Sequence, residues 1–284
     1  MALGERFAGA VLQLLAQVKT SPRDVTFVAS HGQTIWHEPG RATLQLGDPA
    51  VIAERVGARV VSDFRSRDVA AGGQGAPLVP LADVMLFGHP ERGRLLLNIG
   101  GMANVTWVPR RGVSEGALAF DTGPGVAVID AVTRRIDAGA PFDRDGEHAR
   151  RGKPVKQVLA LLLSDPYFAA RPPKSTGRER FGLAFADRLL ELVRQAGGSD
   201  NDAVATATAL TVETIARGVE SWLPAATDAE LVVSGGGAKN PVVVEQLAAR
   251  VRPRPVLAFD QLFFDGEAKE ALAFAFLEIG RAHV

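Results

Sequence analysis

The sequence predicts an α/β protein whose sheet is at least partly parallel. Apolar segments of strand length alternate with longer segments in which apolar residues recur at helical spacing. Three of the predicted strands end in clusters of glycine, and ligands of α/β sheets bind beyond the carboxyl ends of strands. The length of 284 residues suits one large domain or two smaller ones.

The composition excludes several classes of protein. The chain is 46% hydrophobic and has 32 basic against 32 acidic residues, which argues against a disordered tail and a basic nucleic-acid coat. It has no cysteine, so disulfides, thiolate metal sites and thiol nucleophiles are excluded. No apolar run reaches the ~18 residues of a membrane span, and the start lacks a secretory signal. We therefore expect a cytoplasmic protein that binds neither nucleic acid nor membrane.

The predicted elements follow in strand–helix order. Apolar positions from Phe7 to Val18 predict an opening helix, and residues 25–29 a strand that runs into a polar loop at 30–34. Residues 63–75 fit a solvated strand face, although their glycines favour a loop that faces substrate. Later strands are predicted at residues 94–99, 105–108, 117–120, 231–233 and 255–258, and later helices at 126–136, 183–195, 204–223, 241–250 and 268–277.

The three junctions between strand and glycine are the most informative feature. They lie at residues 95–101 (LLLNIGG), 117–125 (ALAFDTGPG) and 231–237 (LVVSGGG). Glycine lets the main chain approach a ligand closely, and backbone N–H groups in a concavity bind phosphate. One such junction is more often an ordinary turn, whereas three in one chain favour ligand binding. The pattern of the common phosphate loop, G-x-x-x-x-G-K-[ST], is absent.

Asp121 is the candidate catalytic carboxylate. It follows a predicted strand and precedes a Gly-Pro-Gly turn, which would aim it into a cleft. A carboxylate there can accept a proton from an attacking hydroxyl or water, the role of the base in phosphoryl transfer. An Asp that bonds to its own turn is an equally good interpretation of Asp121 alone.

Other polar residues have weaker interpretations. The histidines lack the spacing of a zinc site, so we predict no metal site built from side chains, and His31 is expected to orient a polar ligand or satisfy a loop. Segment 174–180 (KSTGRER) fits a solvated charged loop, or an anion contact by Lys174 or Arg178.

Seven strings of residues resemble the anhydro-N-acetylmuramic acid kinase family, of the hexokinase–actin–Hsp70 superfamily. They are SHGQTIWHEP (30–39), LQLGD (44–48), DFRSRDVAAGGQGAPLVP (63–80), LLLNIGGMANV (95–105), FDTGPG (120–125), LSDPYFAARPPKSTGRERF (163–181) and VVSGGGAKNP (232–241). The resemblance implies a two-lobed actin/hexokinase-like (ribonuclease H-like) kinase fold with ATP in the cleft between the lobes. Residues 1–92 would be the remainder of the first lobe and residues 93–284 the second lobe.

The resemblance also implies a reaction. Asp121 would activate a water that opens the 1,6-anhydro ring, and the freed O6 would take the γ-phosphoryl group of ATP with Mg²⁺, giving N-acetylmuramic acid 6-phosphate in peptidoglycan recycling. The family also suggests a homodimer. The implied nucleotide-binding residues are Asn98, Gly100, Gly101, Gly123, Gly125, Gly235, Gly236, Gly237 and Asn240. The implied sugar-binding residues are His31, Gln33, Thr34, Arg65, Gln74 and Glu270.

The chain departs from the family pattern at both ends. The family opens with a strand and a phosphate loop of Gly, Ser and Thr that carries an Asp, and this chain has no such loop. We therefore expect an amino-terminal truncation that leaves the first lobe incomplete. Residues 278–284 (EIGRAHV) match translated sequencing-adapter DNA, with a natural short tail as the alternative.

Two alternatives to an active sugar kinase follow. Because phosphoryl transfer depends on positioning and charge stabilisation, loss of the loop predicts little or no kinase activity, leaving an inactive fragment or a weak sugar- or nucleotide-binding remnant. Another ATPase of the superfamily, of acetate-kinase or chaperone type, is opposed by the strings at 30–39 and 63–80.

Overall fold

The computed structural model describes residues 1–113, 115–225 and 228–279. The predicted foreign tail therefore lies mostly outside the described residues. The helices are α1 (Ala2–Gln17), α2 (Pro49–Val56), α3 (Phe64–Ala70), α4 (Val79–Phe87), α5 (Ala127–Ile136), α6 (Glu147–Arg151), α7 (Lys156–Leu163), α8 (Pro166–Ala169), α9 (Leu183–Gln195), α10 (Asp200–Trp222), α11 (Pro241–Arg250), α12 (Phe259–Leu262) and α13 (Lys269–Ile279). Across these described ranges, no helix is long and apolar enough to cross a bilayer.

Within the described residues, the strands form three sheets. They are β1 (Val28–Ala29), β2 (Gln33–Glu38), β3 (Ala42–Leu46), β4 (Val60–Val61), β5 (Arg94–Ile99), β6 (Met102–Val108), β7 (Leu118–Pro124), β8 (Glu230–Ser234) and β9 (Val256–Ala258). Strands β1 and β4 pair in parallel, and β2 and β3 form an antiparallel hairpin. The other five form one sheet in the order β7-β6-β5-β8-β9.

The five-stranded sheet places the three glycine junctions at one edge. Strand β5 is parallel to β8 and antiparallel to β6, which is in turn antiparallel to β7. Strands β5, β7 and β8 therefore all run in the same direction. Their carboxyl ends, each followed by or ending in glycine, meet at the same edge.

Helix α10 packs against this sheet because its residues are small. Its alternation of Ala, Thr and Val is buried over most of its 23 residues. The hydroxyls of buried threonines are satisfied by carbonyl oxygens, as for Thr208 with Val204 (2.9 Å) and Thr211 with Gly125 (2.7 Å). A capping box of Ser199 and Asp202 begins the helix.

The contacts group the chain into two compact units, Asp83–Glu267 and Met1–Ala82 with the residues from Ala268 onward. In the latter, α1 packs on α2 through Ala8, Ile52 and Val56. Helix α13 belongs there because Phe274 stacks on the ring of His31. These units differ from the lobes at residues 1–92 and 93–284, and that division into lobes stays a prediction.

Several local predictions were wrong. Residues 63–75 contain helix α3, whose Phe64 is buried, rather than a continuous loop. The predicted loop at 30–34 passes into strand β2 at Gln33, and the hairpin of β2 and β3 went unpredicted because several of its apolar residues are exposed, among them Trp36. Strand β7 continues to Pro124, so Asp121 lies within the strand and not at its end.

A buried ion pair fixes the start of β5. Nε of Arg94 lies 2.6 Å from Oε1 of Glu230, and Nη1 of Arg94 donates to the carbonyl oxygen of Phe87 (2.6 Å). The half-exposed Arg92 donates to Oε2 of Glu230 (2.9 Å). Burial alone would raise the pKa of Glu230, but the hydrogen bonds from the two guanidinium groups outweigh it and lower that pKa.

We expect Arg94→Met to lower the free energy of unfolding by about 3–5 kcal/mol, because a buried carboxylate loses its main partner. Arg92→Met removes the half-exposed partner and should cost about 1 kcal/mol or less. Urea denaturation of the two variants measures the difference. Equal losses would contradict the assignment of the stabilisation to the buried pair.

Candidate active site

The first two glycine junctions are joined by main-chain hydrogen bonds. The N–H of Gly125 donates to the carbonyl oxygen of Gly101 (2.9 Å), and the N–H of Val126 donates to that of Gly100 (2.8 Å). A Cβ at Gly125 would lie 2.1 Å from the oxygen of Gly100, so no other residue fits there without movement of the main chain. The turn after β5 is thereby held against the start of α5.

The third junction lies against the first. Gly235 has φ +83°, and a Cβ there would lie 2.5 Å from Oδ1 of Asn98 and 2.8 Å from the carbonyl oxygen of Ile99. Gly236 is exposed and has open space around its Cα. The structure therefore brings Asn98, Gly100, Gly101, Gly125, Gly235 and Gly236 together at one edge of the sheet.

The other predicted nucleotide-binding residues have structural roles. The side-chain oxygen of Asn240 caps α11 by accepting from the N–H groups of Val242 (3.0 Å) and Val243 (3.3 Å). Gly123 is buried, and a Cβ there would lie 2.8 Å from the ring of Phe168. Gly237 is also buried, and its Cβ would lie 2.3 Å from the side chain of Ile99. Contacts of these three residues with a nucleotide stay predictions.

Asp121 lies in β7, half-buried and held by a distant segment of the chain. Its N–H donates to the carbonyl oxygen of Lys174 (3.0 Å), and its Oδ2 accepts from the N–H of Thr176 (2.9 Å). Its carbonyl oxygen accepts from the hydroxyl of Tyr167 (2.8 Å). The carboxylate is therefore bonded to a residue 55 positions away and not to its own turn, which removes the alternative interpretation of Asp121.

The electrostatic environment of Asp121 suits a base. Burial raises the pKa of its carboxyl, against the hydrogen bond from the Thr176 N–H and the charge of Lys174, both of which lower it. A carboxyl with a raised pKa holds a proton more readily after taking it from water. The environment thus fits proton acceptance.

Segment 174–181 packs into the site more closely than its charge pattern indicated. The ammonium group of Lys174 donates to the carbonyl oxygens of Tyr167 (3.0 Å) and Phe168 (3.3 Å) and lies 4.6 Å from the centre of the Tyr167 ring. Burial lowers the pKa of Lys174, and the charge of Asp121 opposes that effect. The solvated-loop interpretation is therefore wrong for Lys174. Thr176, whose main chain does the bonding, carried no signal in the sequence.

Three of the six predicted sugar-binding residues form a second cluster, in the unit that contains the amino terminus. Nε2 of His31 lies 3.7 Å from Oε1 of Glu270, and the ring of His31 stacks on Phe274 at 4.5 Å. The guanidinium of Arg65 lies 5.9 Å from the centre of the Phe274 ring and donates to the carbonyl oxygen of Gly75 (3.1 Å). Among the described residues, Nδ1 of His31 and Nε of Arg65 are buried without a hydrogen-bond partner.

Burial has the largest effect on both basic groups of this cluster. It lowers the pKa of His31, with the charge of Glu270 opposing and that of Arg65 adding to the effect. It also lowers the pKa of Arg65, again opposed by Glu270. Unpaired buried polar atoms beside an exposed carboxylate can bind a polar ligand.

The remaining sugar-binding candidates lie on or beside the hairpin. Thr34 accepts a hydrogen bond from Gln45 in the facing strand (3.3 Å), and the side-chain amide of the exposed Gln33 reaches the carbonyl oxygen of Thr34 (3.4 Å). Gln74 lies next to Gly40, and the N–H of Gly40 donates to the carbonyl oxygen of Gln74 (3.4 Å). Their contact with a sugar stays a prediction.

A sequence model of the anhydro-N-acetylmuramic acid kinase family matches residues 1–283. The chain belongs to this family. It is 45% identical to the anhydro-N-acetylmuramic acid kinase of Caldanaerobacter subterraneus subsp. tengcongensis, over 97% of this chain and 72% of the relative. The kinases of Bacillus thuringiensis subsp. konkukian (41% identity, 97% and 74% covered) and Gloeobacter violaceus (45%, 95% and 72%) are similar.

A solved structure shares the fold. Component A of (R)-2-hydroxyglutaryl-CoA dehydratase from Acidaminococcus fermentans superposes with a TM-score of 0.50 over 94% of this chain and 81% of that chain, at 12% identity. The predicted α/β, actin/hexokinase-like fold class is thus confirmed.

Family membership confirms the predicted family and the carbohydrate-kinase activity class. The relatives are named as kinases and match nearly the whole chain, so the alternative of an inactive remnant is not favoured. The match over residues 1–283 gives no support to the predicted amino-terminal truncation.

We expect Lys174→Met to raise the pKa of the Asp121 carboxyl, because the variant removes a positive charge that stabilises the carboxylate. Lys174→Arg keeps the charge and should leave that pKa near its wild-type value. Titration of the ¹³C-labelled aspartate carboxyls by NMR measures both. An unchanged pKa of Asp121 in the Met variant would show that the charge of the ammonium has no effect on this carboxyl.

Proposed function

We propose that this chain is an ATP-dependent anhydro-N-acetylmuramic acid kinase. The reaction hydrolyses the 1,6-anhydro bond of the sugar and transfers the γ-phosphoryl group of ATP to O6, giving N-acetylmuramic acid 6-phosphate and ADP. The observation that carries the proposal is the position of Asp121. Its half-buried carboxyl lies in β7, and the glycines at the carboxyl end of β7 lie at the same sheet edge as the other two glycine junctions. Family membership supports it.

In this mechanism Asp121 accepts a proton from the water that attacks the anomeric carbon. The bond between C1 and O6 breaks as the bond between C1 and water forms, and O6 keeps the electron pair with which it attacks the γ-phosphorus. The bond between that phosphorus and its bridging oxygen then breaks, and ADP leaves with the electron pair. The N–H of Thr176 fixes the carboxylate while it takes the proton. The proton leaves Asp121 for solvent at the end of the cycle.

The glycine edge of the sheet fits the phosphates of ATP. Gly236 leaves open space, and Gly100, Gly101 and Gly235 present main chain without side chains. ATP supplies the γ-phosphoryl group when it is bound. Within the parts of the chain that the structure describes, no three His, Asp or Glu residues are grouped as metal ligands. We therefore propose that Mg²⁺ is held largely by the phosphates, as is usual for this ion.

The cluster of His31, Arg65 and Glu270 is proposed to bind the sugar. The unpaired ring nitrogen of His31 and the unpaired guanidinium N–H of Arg65 suit the hydroxyl groups and other oxygen atoms of a sugar. N-acetylmuramic acid also carries a carboxylate, for which a guanidinium group is the best partner among side chains. A place in peptidoglycan recycling, a cytoplasmic location and a homodimer belong to the same proposal.

The purified chain should phosphorylate anhydro-N-acetylmuramic acid when ATP and Mg²⁺ are added. Asp121→Asn should lower kcat by roughly 10²–10⁴-fold, the usual contribution of a general base. Asp187→Asn, at an exposed carboxylate paired with Arg135, serves as the control. Mass spectrometry of the sugar product and a coupled ADP assay measure the reaction. Wild-type activity in the Asp121→Asn variant would exclude it as the base.

Arg65→Gln should raise the KM for the sugar by roughly 10–100-fold and leave the KM for ATP unchanged, since a hydrogen bond to a charged group is lost. Arg67→Gln, on the exposed side of the same helix, is the matched control. Steady-state kinetics with each substrate varied separates the two constants. An effect on ATP alone would place Arg65 outside the sugar site.

A further inference from the structure

The guanidinium group of Arg178 lies over the glycine turn at the end of β5. Its Nη2 and Nε lie 3.6 and 3.7 Å from the position that a Cβ would occupy on Gly101. The first residue of α5, Ala127, has its Cβ 3.8 Å from the same position. The cation therefore lies in van der Waals range of the side-chain position on this glycine, at the edge where the three junctions meet.

The main chain on either side of Arg178 is held in place. On one side, the N–H of Thr176 donates to the carboxylate of Asp121 (2.9 Å). On the other, the N–H of Phe181, a fully buried residue, donates to the carbonyl oxygen of Gly177 (3.0 Å). A Cβ at Gly182 would lie 2.1 Å from the carbonyl oxygen of Arg178, so the turn closes tightly. The main chain from which the Arg178 side chain extends is thus held in place relative to Asp121.

Arg178 is exposed and has no hydrogen bond or ion pair within the ranges that the structure describes. Its neighbour Arg180, by contrast, pairs with Asp165. Three amides that would otherwise receive an anion at the start of α5 are occupied, because Gly125, Val126 and Ala127 donate to the carbonyls of the facing turn. Anionic charge at this turn therefore needs another donor, and Arg178 is in place to be that donor.

We propose that Arg178 binds the terminal phosphoryl group of the nucleotide and stabilises its charge during transfer to the sugar. The inference deepens the proposed function and rests on it. The terminal group is the one concerned because Arg178 is two residues from Thr176, which bonds the carboxylate at the reacting end. A planar guanidinium can donate two parallel hydrogen bonds to phosphate oxygens.

A neighbouring carboxyl increases the need for the positive charge of Arg178 at the phosphate position. Asp130, on the first turns of α5, is half-buried, and burial raises its pKa to about 6 against the opposing charges of Arg134 and Arg178. Near neutral pH that carboxyl is largely ionised and would repel a phosphate at the turn. Arg178 offsets this repulsion while it holds the phosphoryl group.

The test compares Arg178→Gln and Arg178→Lys with the wild type and with Arg171→Gln, an exposed arginine of the same loop that lies over Trp222. We expect Arg178→Gln to lower kcat by roughly 10³-fold or more, as for other arginines that act on a transferring phosphoryl group. The KM for the sugar should stay that of the wild type, and the Lys variant should recover part of kcat. Arg171→Gln should match the wild type.

Calorimetric titration without sugar separates a phosphate contact from a structural role. Arg178→Gln should weaken the binding of ATP with Mg²⁺ by roughly 10–100-fold and leave that of ADP unchanged, because ADP lacks the group concerned. Equal weakening of both nucleotides, or a kcat equal to the wild type, would overturn the inference while leaving the kinase intact. A folded wild-type chain that neither binds ATP nor phosphorylates the sugar would overturn the proposed function, and this inference with it.

Discussion

The main chain at Gly125 passes so close to the carbonyl of Gly100 that a Cβ would lie 2.1 Å from that oxygen. Around this contact, amides at the start of α5 bond to the turn after β5, and the hydroxyl of Thr211 in α10 bonds to the carbonyl of Gly125 (2.7 Å). Sheet, turn and two helices therefore meet at one residue without a side chain. The open glycine surface beside it exists because this contact holds the turn in place.

The environment of Asp121 follows from the same arrangement. Strand β7 carries the carboxyl toward the glycine edge, and segment 174–181 lies across it with Lys174 and Thr176 bonded to the strand. Burial raises the pKa of the carboxyl while these contacts limit the rise, so the group stays usable as a base. The segment that orients the carboxyl also carries Arg178 to the turn, which couples the base and the phosphate-binding cation through a few residues of main chain.

Much of the fold could be predicted from local patterns. The helices at 183–195 and 241–250 have the predicted bounds, since apolar periodicity and, in the second, an Asn cap followed by Pro mark them. Helix α3 and the hairpin of β2 and β3 could not be predicted in this way. The polar residues of α3 and the glycines that follow it are typical of a loop. In β2 the apolar Trp36 is exposed, so apolar and polar residues do not alternate there as in a half-buried strand.

The sequence by itself determined the family, the three glycine junctions and the identity of the candidate base, because these depend on residue types in a fixed local order. Only the tertiary structure decided which of those residues meet. It assigned Asn240 to a helix cap and Gly123 to packing, and it placed the N–H of Thr176 on Asp121 across 55 positions. The physical reason is that main-chain hydrogen bonds and close approaches between distant segments use atoms common to all residues, which leave no mark in a local pattern.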